Sequence, residues 1–134
     1  MAIAKKTRAT LLSPSRWWRA IRGWTLWKDR LGCGLLLASF VVTAGLFVYV
    51  YLTYSSLPPL VPLHYNSFGQ VDLIGEPREL FKLPVIGAIL LLGDLLLAAT
   101  IHQHERFAAL LLLGGCLFAQ SLLFAATVNV VRLA

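Results

Sequence analysis

The sequence predicts an all-α integral membrane protein: three transmembrane helices preceded by an N-terminal amphipathic interfacial helix, with one long external loop. Three observations carry this. Of 134 residues, 58% are hydrophobic and 13% are charged, against roughly 25% charged in an ordinary soluble domain. The apolar residues gather in three runs, each close to the roughly 20 residues needed to cross a hydrocarbon core. Eight of the 12 Lys and Arg residues fall within the first 30 positions, where they act as a topology signal and a lipid-facing segment. A mean hydropathy of +0.75 excludes both a soluble globular chain and a disordered one.

Residues 1–30 form a basic, Trp-rich segment. Pro14 and Ser15 start a helix, in which Trp17, Ile21 and Trp24 share one face with Trp18 beside them. Arg16, Arg19 and Arg22 reach outward from the other side. Trp favours the headgroup level because its ring is apolar and its N–H needs a partner. A cation near anionic lipid gains about 1 kcal/mol. The segment therefore reads as a helix lying on the cytoplasmic leaflet with membrane lipids as its partner. Bases interleaved with aromatics also suit nucleic acid, but attachment to a span through Asp29-Arg30 favours lipid, and no nucleic-acid partner is expected. The apolar run that follows exceeds the 7–15 residues of a signal peptide's core, so it reads as an uncleaved anchor.

Residues 31–134 form the three-span membrane domain. The first span, 31–52, holds no charge; the second, 83–101, holds Asp94 alone; the third, 107–131, holds none. Residues 53–82 connect the first two spans, whereas the link from His102 to Arg106 is a tight helical hairpin. Arg78, Lys82 and Arg132 are outnumbered by the eight N-terminal bases plus Arg106. The positive-inside rule puts the N-terminus and the short link in the cytoplasm, with the long loop and C-terminus outside. Cys33 and Cys116 lie at depths differing by roughly 10 Å or more on 1.5 Å per residue, too far apart for a disulfide.

In the loop, Pro58, Pro59 and Pro62 impose extended backbone. Asn66-Ser67-Phe68-Gly69 supplies a turn, Gly69 being free to take positive φ. The chain Leu57-Pro58, Val61-Pro62, His64-Tyr65-Asn66, Gly69, Asp72, Gly75 and Leu83-Pro84 resembles a bacterial membrane family called domain of unknown function 1648. The same pattern is distantly similar to the immunity protein of the sporulation-delay toxin system. The resemblance implies a small bacterial inner-membrane domain and leaves its activity open. Physically, His64, Asn66 and Asp72 form a stiffened polar group suited to a cation or ligand, or to bonding the loop's own backbone. One His and one carboxylate fall short of a zinc site's three or four ligands, so the loop motif Pro62, His64, Tyr65, Asn66, Gly69 and Asp72 is expected to be mainly structural, with no metal. Glu76-Pro77-Arg78-Glu79 reads as a short helix start.

A carboxylate within a span is costly and suggests function. Asp94 stands eight residues before His102, about 12 Å deep at 1.5 Å per residue. A buried cluster with Ser39 and Gln120 is sterically possible there. It would make a proton or cation site, or let a protonated Asp94 donate one hydrogen bond to a neighbouring helix or subunit. No second carboxylate or base lies within a span to form a relay. Gly34 with Ala38 and Gly115 with Ala119 have small-x-x-x-small spacing, which suits lateral packing against further protein. His102 and His104, two residues apart, point different ways and do not make a haem site, and no cofactor is expected.

No nucleophile–base pair, metal-ligand cluster or phosphate loop occurs, so enzymatic activity is not expected. The sequence favours a non-catalytic accessory subunit of a larger membrane complex, an energy-transducing electron-transfer complex being one plausible host. The alternatives are an immunity or stress-signalling membrane protein, which follows from the family pattern, and a small ion or solute transporter centred on Asp94.

Overall fold

The computed structural model describes residues 25–134. The interfacial helix expected around Arg16, Trp17, Trp18, Arg19, Arg22 and Trp24 lies outside these described residues.

Three helices long and apolar enough to span a membrane dominate the fold. Helix α1 covers Arg30–Tyr54, α2 covers Lys82–Ile101 and α3 covers Arg106–Leu133. Asp29 caps α1, its carboxylate accepting from the Leu31 amide at 3.1 Å. Pro84 sits in the first turn of α2, where a missing N–H breaks no helical bond. Helix α3 packs against both others, and because Asp29 at the start of α1 meets Arg106 at the start of α3 and His102 at the end of α2, α1 and α3 run parallel with α2 antiparallel to both. Phe40, Val41, Tyr51, Leu97, Leu111 and Phe118 are exposed around the bundle, a surface that only lipid or other apolar partners solvate.

The interior is layered. Leu26, Ala98, Ala99, Ala109 and Leu113 form an apolar cluster at the end bearing Asp29. Leu46, Val50, Val61 and Leu80 form a second at the opposite end. Between them lies a polar band of Ser39, Thr43, Cys116 and Gln120, all buried. Ser39 and Thr43 satisfy their hydroxyls at the carbonyls of Leu35 and Ser39, both at 2.9 Å. Such internal bonding is what a water-free setting demands.

Two sequence expectations change. The 53–82 connection is not an irregular loop. Its centre is an antiparallel hairpin, β1 Val61–Tyr65 and β2 Val71–Gly75, paired Val61 with Gly75 and Tyr65 with Val71. β-branched and aromatic residues on both sides of the Asn66–Gly69 turn drive the pairing, and irregularities around His64 accommodate Pro62. A 3₁₀ turn over Pro77–Phe81 follows, with Pro77 near its start as expected. Leu26, in a 3₁₀ turn over Thr25–Lys28, is the second change: it belongs to the core, fully buried, while its neighbour Trp27 is exposed. An aromatic–base alternation read as one lipid-facing stretch therefore turns inward at Leu26.

The hairpin is anchored to the bundle. Val61 is buried against the Leu46–Val50 stretch of α1 and Leu80. Tyr54 packs on Phe81 with ring centroids 5.8 Å apart, and Arg78 Nε donates to the Tyr54 hydroxyl at 3.4 Å.

Candidate functional site

Three polar assemblies survive as candidates, one at each end of the bundle and one in its middle. At the hairpin, Asn66 is structural as expected: its Oδ1 accepts from the amides of Phe68 and Gln70 at 3.0 and 2.9 Å. Gly69 takes φ +75°, the conformation the turn requires and that side chains disfavour. His64 departs from the expected backbone role. Its Nδ1 lies 3.9 Å from Asp72 Oδ2 across the strands, with both side chains about two-thirds exposed. Solvent screens such a pair, which holds little energy, and Tyr65 and Pro62 beside it are half-buried. The tip residue Phe68 is 88% exposed, and Val71, Leu73 and Ile74 of β2 are exposed as well.

The second assembly joins all three helices at the opposite end. Asp29 Oδ2 accepts from Arg106 Nε at 2.6 Å and lies 3.0 Å from His102 Nε2, while Arg106 Nη2 donates to Oδ1 at 3.2 Å. The Asp29 and His102 side chains are 6% and 7% exposed, whereas Arg106 remains 61% exposed. The Arg106 guanidinium, then the His102 ring, hold the Asp29 carboxyl well below the usual carboxylate range. This latch was not expected from the sequence. The signal was available: Asp29 is the one acid before the first span, and His102 and Arg106 flank the only short link. His104, by contrast, is exposed.

The middle assembly contains the expected trio, arranged differently. Ser39 and Gln120 do not touch Asp94 through hydrogen bonds of their own. The buried Cys116 lines the same groove as Asp94, one turn before Gln120 on α3. Gln120 Nε2 donates to the Gly87 carbonyl at 2.6 Å, and Gln120 Oε1 is buried with no partner. A Cβ on Gly87 would meet Gln120 Oε1 at 2.6 Å, so glycine is what lets α2 and α3 approach there. Neither Cys116 nor Gly87 had been singled out for these roles. A thiol and a missing side chain carry no charge to mark them. Cys33 and Cys116 are both free.

Asp94 is half-buried and lines a groove of about 400 Å³ between α2 and α3, together with Leu90, Ala108, Leu111, Leu112, Gly115, Cys116 and Ala119. Its lining runs from 108 to 119, about 16 Å along α3 at 1.5 Å per residue. Gly115 is exposed with open space where a Cβ would stand, and so is Gly34, with Ala38 half-buried one turn further along α1. The small pairs therefore do not serve packing within this chain. The ion pairs among the described residues are those of Asp72, Glu79 and Asp29, which leaves Asp94 with no counter-ion there.

Comparison with known proteins bears on the hairpin above all. The family model described as "Domain of unknown function (DUF1648)" covers α1 from Leu36, the whole hairpin and the start of α2. Residues 36–88 match that domain. The match includes the Val61–Asp72 motif, and it ends before Asp94 and α3. A curated protein of the archaeon Archaeoglobus fulgidus, described as uncharacterized, is 35% identical over 80 residues. That covers 57% of this chain and 44% of the relative, so the chain spans less than half of the relative's length. No solved structure matches.

Proposed function

We propose that this chain is a non-catalytic accessory subunit of a larger membrane complex, and that it docks a partner's transmembrane helix in the groove at Asp94. The observation that carries this is the groove itself: about three turns of α3 in which Ala108, Gly115 and Ala119 alternate with leucines, lined also by a carboxyl that has no counter-ion among the described residues. Small residues let helix backbones approach closely, and membrane helices associate through that packing and through interhelical hydrogen bonds. A partner helix presenting a neutral hydrogen-bond donor to Asp94 would satisfy both needs at once. Such a partner tolerates Asp94→Asn, which keeps an acceptor, whereas an ion-handling site centred on Asp94 does not.

The test is purification in mild detergent followed by native sizing and mass spectrometry of co-purifying chains. Co-migration with other membrane subunits is expected; migration as a lone monomer or small homo-oligomer would count against the reading. A bacterial cytoplasmic membrane is the proposed location, with the hairpin outside, supported by the charge count across the spans. An impermeant thiol reagent should then label Ser67→Cys on intact cells and Gln103→Cys only after permeabilisation. Reversed labelling would refute that orientation.

A further inference from the structure

The Asp29 latch lies at the floor of a pocket of about 460 Å³ lined by Lys28, Asp29, Arg30, Leu31, His102 and Arg106. We propose that this pocket binds the phosphate headgroup of an anionic phospholipid. Three features converge on that chemistry.

The first is charge. Lys28, Arg30 and Arg106 bring three cations to one concavity, and the single acid among them, Asp29, is turned inward and nearly covered. The second is geometry. Arg106 spends Nε and one Nη2 hydrogen on Asp29, which leaves three of its five N–H groups, on a side chain that is 61% exposed. A carboxylate that fixes one edge of a guanidinium presents the other edge ready for a phosphate, without the entropy cost of ordering a free arginine. The N-terminus of α3 opens at the same place, with Glu105 offering no side-chain cap, so its first amides add partial positive charge.

The third feature is depth. Arg30 and Arg106 are the first residues of their helices, so the pocket opens where the apolar spans begin. That is the level of the lipid headgroups. Leu31 on the pocket's rim is exposed, and Gly34 and Ala38 follow it at helical spacing on the same face. A cationic pocket at that level, with an apolar helix face directly below it, favours a membrane phospholipid over a soluble phosphate.

The experiment uses full-length protein reconstituted in vesicles of phosphatidylcholine with or without phosphatidylglycerol, extracted gently and analysed by native mass spectrometry for retained lipid. Wild type is expected to retain one phosphatidylglycerol and no phosphatidylcholine. Lys28→Gln with Arg30→Gln, which spares the latch, should lower that retention about five-fold per charge, or roughly 25-fold together. The pair Lys5→Gln and Lys6→Gln removes the same charge elsewhere and should change nothing. Equal losses from both double variants would reduce the effect to diffuse charge and overturn the proposal, as would unchanged retention in the Lys28/Arg30 variant. Displacement of the lipid by millimolar inorganic phosphate would overturn the membrane source.

Discussion

Replacing Asp29 by Asn is expected to be the most damaging polar substitution in the bundle. Asn keeps the helix cap and the side-chain shape, so what is lost is the negative charge that binds Arg106 and His102. One carboxylate there joins the start of α1, the end of α2 and the start of α3. Without it, the buried His102 ring faces a neutral amide and Arg106 loses its anchor. Because the folded-state carboxyl titrates below its ordinary value of 3.8, its contribution is complete above that pH and is lost as the pH falls further. Thermal unfolding in detergent should therefore separate wild type from Asp29→Asn widely at pH 7, and the gap should narrow below about pH 3.8. A gap that stays constant with pH, or none at pH 7, would show that the latch holds nothing together.

Leu80→Ala should be the largest apolar loss. Leu80 is 1% exposed and packs with Leu46, Val50 and Val61, where the 3₁₀ turn, α1 and β1 meet. Truncating a buried leucine costs about 2–5 kcal/mol, part of it the cavity left behind. An isolated two-stranded hairpin is marginal in water, so β1 and β2 depend on this contact. Protease nicking at the Asn66–Gln70 turn should accelerate roughly 30-fold or more, following the 2–5 kcal/mol range. Unchanged nicking would mean the hairpin stands without its anchor.

The spans were legible because a carbonyl ladder in lipid leaves the chain few options beyond a long apolar helix. The Asn66–Gly69 turn was legible too, since Asn and Gly have specific backbone uses. The strands flanking it were not read, because Pro58, Pro59 and Pro62 argue for extended chain without saying what pairs with it. Leu26 was missed for a related reason: one apolar residue among Trp and Lys reveals its direction only through the alanine-lined cavity that receives it. Gln120 was expected near Asp94, but it bonds Gly87, about two turns away along α2, and it is Cys116, which hydropathy counts as another apolar residue, that lines the groove with Asp94. The latch of Asp29, His102 and Arg106 spans 77 positions between its ends, a distance no local pattern encodes.

The central claim is that the groove at Asp94 receives a partner helix, and Gly115→Leu tests it most directly. Gly115 is exposed and an added Cβ there meets no atom within 4 Å, so a larger side chain is expected to leave the chain's own fold intact. A leucine there fills the groove and holds a docking backbone away. Tagged wild type and Gly115→Leu, purified side by side in mild detergent, should differ by tenfold or more in co-purifying membrane chains, the loss of about 1.4 kcal/mol or more of association energy. Recovery of the same chains in the same amounts would show that this face meets only lipid, and would contradict the account.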